Sequence, residues 1–429
     1  MGVLHRVGGV RLDGQELAQR IVRICFILVL VCALCGAGVA SSSSPFPKYH
    51  LILQFNSEQA TLAALDLLLL EPYNQTTTID LFSYDLAFIS ITAHSALPQQ
   101  VRDPYFLLPD IQQVVEDGIR WLETDDTENI EEIFVNDPLF PQQWGLHMMQ
   151  VPQTWEFTGT VFDTRSNITV AIVDTGVDFT HPDLAGAYHP ASYDWVSGTP
   201  QVTDANGHGT HLAGIIAAST DNHMGISGIA PVRILSETVY EEGVGVLTSR
   251  SAMGIYHAAQ AGAQIIVLGY GGNFFSDIEA RAISYAKEQG SLIIASAGND
   301  QSNASHYPSD LSDVISVGAI SASGAPSVFS NYGIFLDFVG PGQNIYGTEP
   351  GNRYSKKTGT SQAAAGIAGV AALLWSLDTN QTAQDVHSLL IASAEDLGKE
   401  GKDIYFGWGY PNSLRAAQIL YSTQLDVVA

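Results

Sequence analysis

The stretch ITVAIVDTGVD, residues 168–178, decides the architecture of most of this chain. Its first six residues are apolar or β-branched without alternation, and the run stops at Asp174 before a Thr-Gly turn. Such a run is typical of a strand buried on both faces of a sheet. Similar runs recur downstream with helical stretches between them. They are RILSETVY (233–240), AQIIVLGYGG (263–272), GSLIIASAGN (290–299) and DVISVGAI (313–320). This alternation predicts an α/β fold, a doubly wound, mainly parallel sheet with helices on both faces.

The composition limits the class of protein. The chain has 429 residues, of which 46% are hydrophobic and 9% aromatic, which argues against disorder. Its formal net charge is -26. Nucleic acid is therefore excluded as a partner, because it requires a basic face.

The first forty residues differ from the rest. Arg20 and Arg23 precede the apolar run ICFILVLVCALCGAGVA, which ends in small residues at Ala40. We interpret residues 1–40 as a secretory signal peptide and expect a secreted protein. The alternative is an uncleaved membrane anchor, since the run is close to the minimum spanning length. All three cysteines lie in this segment (Cys25, Cys32 and Cys35), so the exported protein would contain no thiol.

Residues 41–124 have the texture of a small α+β domain with the order β-α-β-β-α-β. Its predicted helices are SEQATLAALDLLLL (57–70) and LPDIQQVVEDG (108–118), and IRWLE (119–123) is its last strand. The charged stretch that follows predicts an exposed linker at residues 125–135, suited to proteolytic cleavage.

Three polar residues stand at the ends of predicted elements. Asp174 ends its strand, His208 lies in NGHGTHLAG (206–214), and Ser361 lies in KTGTSQAAAG (357–366). Thr360 or Ser361 could simply be the N-cap of a tightly packed helix. Alternatively, Ser361 is a nucleophile kept open by its small neighbours, with His208 as its base and Asp174 orienting the base.

Competing motifs fit less well. The Asp-Thr-Gly of pepsin-like proteases requires a second such carboxylate, and the chain has none. His208 and His211 lack the i, i+4 spacing and intervening Glu of zinc helices. The sequence around Ser361 is similar to the nucleophile elbow of lipases and esterases, but there the serine precedes the acid and the histidine. The order Asp, His, Ser is that of subtilisin.

On these motifs the chain resembles the subtilisin-like serine proteases across a catalytic domain at residues 136–420, followed by a tail at residues 421–429. The matching blocks are AIVDTGVDFTHPDL, GHGTHLAGIIA and GTSQAAAGIAG, with IIASAGND and the C-terminal YFGWGYPNSLRAAQIL. The resemblance implies a serine endopeptidase that acts on polypeptides through an acyl-enzyme. It also implies that Asn299 donates its amide to the oxyanion. A non-catalytic binding module on the same fold is the alternative, which the intact set of motif residues disfavours.

The resemblance implies further expectations. Residues 41–124 would be a propeptide that inhibits the enzyme until it is cleaved, which makes the chain a zymogen, and we expect the enzyme to be a monomer. Substrate would lie along Gly269, Tyr270 and Gly271, opposite Ser296, Ala297 and Gly298, with His306 at the base of the specificity pocket. The chemistry would need no cofactor. Structural calcium could bind at Asp183 and the loop 219–228, which could equally be a solvated loop.

Overall fold

The computed structural model describes six strands between Tyr49 and Asn129, residues 138–160 and residues 165–428. The chain divides into two compact units, Met1–Asp117 and Gly118–Ala429. The signal segment and the helix predicted at residues 57–70 lie outside the described residues.

The first unit contains a four-stranded antiparallel sheet with the spatial order β2-β3-β1-β4. The strands are β1 (Tyr49–Phe55), β2 (Thr77–Leu81), β3 (Phe88–Ala93) and β4 (Ile111–Glu116).

The helix predicted at residues 108–118 is wrong, because β4 occupies its centre and pairs antiparallel with β1. The Pro-Asp pair at its start looked like a helix beginning. Three of the six residues of β4, namely Ile111, Val114 and Val115, are β-branched, and such residues favour strands. Local signals do not reveal that an edge of β1 is available for pairing, so the tertiary contact decided the outcome.

The second unit is built on a seven-stranded parallel sheet with the order β16-β15-β14-β12-β7-β9-β8. The doubly wound α/β fold predicted from the sequence is confirmed. The strands of this unit are β5 (Ile119–Leu122), β6 (Asp125–Asn129), β7 (Thr169–Asp174), β8 (Tyr193–Asp194), β9 (Arg233–Thr238), β10 (Tyr240–Glu241), β11 (Gly245–Leu247), β12 (Ile265–Leu268), β13 (Tyr270–Gly271), β14 (Leu292–Ser296), β15 (Ile315–Ile320), β16 (Phe338–Pro341), β17 (Ile345–Glu349), β18 (Arg353–Thr358), β19 (Ala394–Glu395) and β20 (Tyr410–Pro411).

Helices cover the sheet and close the unit. They are α1 (Trp144–Met148), α2 (Val151–Thr158), α3 (His208–Ala217), α4 (Thr248–Gln260), α5 (Asp277–Glu288), α6 (Thr360–Leu377), α7 (Ala383–Ala392) and α8 (Ser413–Val428). Short 3₁₀ turns occur at Phe140–Gln142 and Pro182–Leu184. Helix α8 continues to Val428, so the predicted tail at residues 421–429 is largely helical.

Helix α6 is the centre of the core. It is buried from Thr360 to Trp375 and packs against β12, β14, β15 and β16. Among the described residues it is the one helix long and apolar enough to cross a membrane, but 89% of it is buried inside the protein. Its alanines and glycines therefore serve close packing inside this unit.

Two further ladders flank the main sheet. Strand β5 pairs antiparallel with both β11 and β13, which gives the order β10-β11-β5-β13. Strand β6, which falls in the predicted linker, pairs with β18. Residues 119–122 were predicted as the last strand of the small domain, whereas the structure pairs them with strands of the second unit.

Candidate active site

The predicted site residues gather where the strand order of the main sheet reverses. After β7 the chain adds β8 and β9 on one side, and β12 then joins the opposite side. Asp174 ends β7, Gly269 follows β12, and Asn299 lies just beyond β14. Ligands of open α/β sheets bind at such a switch point, outside the carboxyl ends of the strands.

Asp174 and His208 form a buried pair. His208 is the first residue of α3, and its Nδ1 lies 2.7 Å from Asp174 Oδ1. The same carboxylate oxygen accepts a hydrogen bond from the backbone N–H of Thr175 at 2.8 Å. A carboxylate that accepts at Nδ1 holds the proton there, which leaves the lone pair of the imidazole on Nε2. That atom is buried and has no hydrogen-bond partner among the described residues.

A glycine allows this pair to form. A Cβ atom added to Gly209 would overlap the carbonyl oxygen of Gly176 and lie 3.3 Å from the Cβ of Asp174. Helix α3 can therefore approach the end of β7 only because residue 209 has no side chain. The glycines beside His208 serve close packing, and the histidine is held by that packing.

Ser361 is the second residue of α6, and its hydroxyl donates to the carbonyl oxygen of Gly269 at 3.2 Å. The N-cap prediction for Thr360 or Ser361 is wrong, because Gly359 precedes the helix and no side chain caps it. A Cβ atom built on Gly269 would lie 2.6 Å from Asp174 Oδ2 and 3.0 Å from His208 Cε1. The serine, the histidine and the carboxylate thus surround one glycine.

Asn299 is held by Thr360, a contact that the sequence analysis missed. Its Oδ1 accepts from the Thr360 backbone N–H at 3.0 Å and from Thr360 Oγ1 at 3.1 Å. The Thr360 hydroxyl also accepts from the backbone N–H of Gly298 at 3.2 Å. Since the carbonyl side of the Asn299 amide faces Thr360, its NH₂ group is directed away from that residue. A threonine directly before the serine is the sequence signal that could have indicated this contact.

The predicted substrate strand is paired in the structure. Tyr270 and Gly271 form β13, where Tyr270 pairs with Leu122 and Gly271 pairs with Trp121 of β5. The side chain of Tyr270 is fully buried and its hydroxyl lies 2.7 Å from Ser251 Oγ. Strand β13 therefore presents its backbone, and not this side chain, to the neighbouring strand.

The opposite wall begins at Ser296, the last residue of β14, and continues through the buried Ala297 to Gly298. The backbone of Gly298 has φ +101° and is bonded to Thr360 and Asn331. His306 is 2% exposed and lies between the two walls, because a Cβ atom on either Gly271 or Gly298 would collide with its ring.

The residues of the predicted calcium site are engaged with one another. The buried carboxylate of Asp183 accepts hydrogen bonds from Asn222 Nδ2 at 2.5 Å, from the Ile226 backbone N–H at 3.1 Å and from the Tyr354 hydroxyl at 2.9 Å. Calcium requires six to eight oxygen ligands. Because three donors face this carboxylate, a cation at Asp183 would have to displace their hydrogen bonds. The described residues also contain no group of three or more His, Cys, Asp or Glu that could hold a metal ion.

Two buried titratable groups near the site have other partners. His211 Nε2 lies 3.3 Å from the Ser355 carbonyl oxygen, and burial holds the pKa of His211 well below its usual value. Glu237 on β9 bonds His257 Nδ1 and Trp195 Nε1, each at 2.7 Å. Burial raises the pKa of Glu237 to about 7. The sequence analysis did not single out this glutamate, since nothing local distinguishes it from a surface residue.

Comparison with known proteins agrees with this arrangement. The profile of the Subtilase family matches residues 165–409. Thermitase from Thermoactinomyces vulgaris is 37% identical over 285 residues, which cover 66% of this chain and 99% of thermitase. Subtilisin DY from Bacillus licheniformis is 36% identical over 258 residues, which cover 59% of this chain and 92% of that protein.

A solved structure is also similar. Fervidolysin from Fervidobacterium pennivorans, described as a keratinolytic enzyme related to subtilisin, superposes with a TM-score of 0.72 at 25% identity. The match covers 88% of this chain and 62% of the fervidolysin chain. This chain belongs to the Subtilase family and is a subtilisin-like serine endopeptidase. Enzymes of this family need no cofactor for catalysis.

Proposed function

We propose that Ser361, His208, Asp174 and Asn299 carry out peptide hydrolysis through an acyl-enzyme. The observation that carries the proposal is the buried Asp174–His208 pair. The His208 ring and the Ser361 hydroxyl both lie beside Gly269, and His208 Nε2 has no hydrogen-bond partner among the described residues. Ser361 Oγ bonds to the substrate carbonyl carbon as its proton passes to His208 Nε2. The C–N bond then breaks and the leaving amine takes that proton. Water then attacks the acyl carbon and gives a proton to His208 Nε2. The bond to Ser361 Oγ breaks, the serine takes that proton back, and the carboxylic acid product is released.

The oxyanion formed on the carbonyl oxygen needs donors that are already in place. Ser361 is the second residue of α6, so its backbone N–H is among those with no acceptor inside the helix. The Asn299 amide, fixed through its carbonyl by Thr360, supplies a second donor. Asp174 stabilises the imidazolium formed during each transfer.

A covalent label tests the nucleophile. A fluorophosphonate probe should label the mature wild-type enzyme at Ser361 and abolish its peptidase activity. Ser361→Ala should be neither labelled nor active. Ser323→Ala, which changes an exposed serine, is the matched control and should behave as wild type. Labelling of folded Ser361→Ala at the wild-type rate would refute the assignment and favour a non-catalytic binding module.

We further propose that the chain is a zymogen whose residues 41–124 inhibit it. Support comes from β5, which forms a strand between β11 and β13 in the place expected for a substrate. An added strand of this kind is bound through main-chain hydrogen bonds. Ser361→Ala should accumulate as an uncleaved precursor if maturation is autocatalytic. Normal processing of that purified variant, with no other protease present, would exclude self-cleavage.

The isolated segment 41–124 should inhibit the mature enzyme in trans. Both parts are acidic, so added salt should speed their association by screening the repulsion. Failure to inhibit at every salt concentration would contradict the propeptide assignment. Slower association at high salt would contradict only the charge argument.

Secretion and calcium binding remain predictions. Residues 1–40 would direct export, and N-terminal sequencing of exported protein separates a cleaved signal from a retained anchor. Calcium at Asp183 and the loop 219–228 would require the hydrogen bonds to that carboxylate to be replaced. The same melting temperature in calcium and in a chelator would contradict this prediction.

A further inference from the structure

One side chain anchors the strand that is expected to bind substrate. The stretch GYGG (269–272) contains β13, and Tyr270 is its only residue that is not glycine. The Tyr270 side chain is fully buried. Gly269, directly before it, accepts the Ser361 hydroxyl at 3.2 Å. Glycines have no side chain to pack and allow many backbone conformations, so the place of this backbone beside the serine depends on how Tyr270 is held.

Three buried polar groups form a hydrogen-bonded chain that begins at this tyrosine. The Tyr270 hydroxyl lies 2.7 Å from Ser251 Oγ on α4, and Ser251 Oγ donates to Glu279 Oε1 on α5 at 2.5 Å. All three side chains are buried, and the most exposed of them, Glu279, is 1% exposed. A serine hydroxyl has one proton, so a serine that donates to Glu279 accepts from Tyr270. The protons of the chain therefore point from the tyrosine toward the carboxylate.

The carboxylate end of the chain is fixed by a helix. Glu279 lies in the first turn of α5, and its backbone N–H donates to Oγ of the N-cap residue Ser276 at 3.4 Å. The N-terminus of a helix stabilises negative charge, which offsets part of the cost of burying the carboxylate. Hydrogen bonds to an ionised acceptor are stronger than neutral ones, and hydroxyl groups in series polarise one another. The chain thus connects β13 to the first turns of both α4 and α5.

We propose that Tyr270, Ser251 and Glu279 are positioning residues, which hold β13 where a peptide paired with it reaches the catalytic serine. The proposal rests on the proposed function and acts through the strand, not on the reacting atoms. Strand β5 pairs with β13 through the backbone, so the alignment of an added strand depends on where the backbone of β13 lies. A misplacement of about 1 Å can cost roughly 10²-fold in rate. A buried chain that ends at a fixed carboxylate limits such displacement.

The dependence of hydrolysis on substrate length tests this role. Tyr270→Phe keeps the buried ring and removes the hydroxyl that begins the chain. The substrates are a tetrapeptide anilide, which is long enough to pair along β13, and a single-residue ester, which is too short to do so. For the tetrapeptide kcat/KM should fall roughly 2–13-fold, the factor that corresponds to one net hydrogen bond. For the ester it should stay within about twofold of wild type, because the catalytic residues are unchanged.

Further variants test the chain as a unit. Tyr405→Phe, at an exposed tyrosine, is the matched control and should behave as wild type on both substrates. Glu279→Gln keeps an acceptor for Ser251 and should retain more tetrapeptide activity than Glu279→Leu, which has none. Ser251→Ala leaves both the tyrosine and the carboxylate short of a partner, so it should cost more than Tyr270→Phe. The double variant should lose less than the product of the two single losses, because both changes break the same chain.

Active sites are counted with the fluorophosphonate label, so that unfolded protein does not enter the comparison. Equal losses on the two substrates in labelled Tyr270→Phe would mean that the hydroxyl only supports the packing of α4 against α5, and would refute the proposal. Unchanged tetrapeptide hydrolysis in that variant, or fully additive losses in the double variant, would also refute it. Failure of the proposed function looks different, because wild-type enzyme would then neither take the label at Ser361 nor hydrolyse the ester.

Discussion

Asn299 is proposed to donate to the oxyanion, and it accepts hydrogen bonds from Thr360. Substitutions can separate the effect of the first contact on catalysis from the effect of the second on stability. Asn299→Ala removes the proposed oxyanion donor, and loss of one such donor costs roughly 10²–10³ in kcat; that magnitude was measured in subtilisin itself. KM should change little, because the bond forms only in the transition state. The substitution also removes the acceptor of the buried Thr360 N–H, so the variant should lose about 1–3 kcal/mol of stability.

Asn299→Asp distinguishes the two effects. A carboxylate keeps an acceptor for Thr360 and lacks the NH₂ donor. This variant should melt closer to wild type than Asn299→Ala, while its kcat falls at least as far. Thr360→Val keeps the backbone contact to Asn299 at 3.0 Å and removes two contacts of Oγ1, the one to Asn299 Oδ1 at 3.1 Å and the one from the Gly298 backbone N–H at 3.2 Å. Of these two, only the contact with Oδ1 holds the Asn299 amide. One net hydrogen bond of about 0.5–1.5 kcal/mol predicts a fall in kcat of roughly 2–13-fold for Thr360→Val.

The assay is steady-state hydrolysis of a chromogenic peptide, with active sites counted by the covalent label and stability followed by thermal melting. An unchanged kcat in labelled Asn299→Ala would refute the oxyanion assignment. If Asn299→Asp retained near-normal kcat, the residue would act only by supporting Thr360. A loss that appeared entirely in KM would mean that Asn299 binds the ground state.

Two further predictions follow from the buried pairs. Asp174→Asn should lower kcat by about 10⁴, because an amide cannot hold the proton on His208 Nδ1. A loss of less than tenfold, measured by steady-state kinetics, would contradict the role of the Asp174–His208 pair. Burial raises the pKa of Glu237 from 4.5 to about 7. Burial alone would lower the pKa of His257, but the hydrogen bond to Glu237 and the negative charge of Glu237 raise the pKa of His257 above its usual value. The folded pair therefore binds its proton to higher pH than the unfolded chain does, so stability should fall as pH rises from about 4.5 through about 7. Thermal melts in the Ser361→Ala background should show this slope, and Glu237→Gln should reduce it; an identical slope in both proteins would exclude the pair as its source.

Much of the site could be predicted from the sequence because each of its main residues lies in a short, continuous motif. Asp174, His208 and Ser361 each lie at the end of a strand or the start of a helix, and the sheet order brings these ends together. The contact of Thr360 with Asn299 and the role of Glu237 were missed because they depend on partners far along the chain. Asn299 is 61 residues from Thr360, and His257 is 20 residues from Glu237. His211 shows the opposite case, since it shares the motif of His208 but bonds the Ser355 carbonyl oxygen of β18 and not Asp174.

The sequence by itself determined the parallel α/β architecture, the order of the motif residues and the family, because apolar runs and motifs are written along the chain. Only the tertiary structure decided that Ile111–Glu116 is a strand, that Ser361 donates to Gly269, and that Ile119–Leu122 pairs between β11 and β13. Strand pairing depends on which backbone edges are left unpaired elsewhere in the fold, and a residue's own neighbours do not encode that.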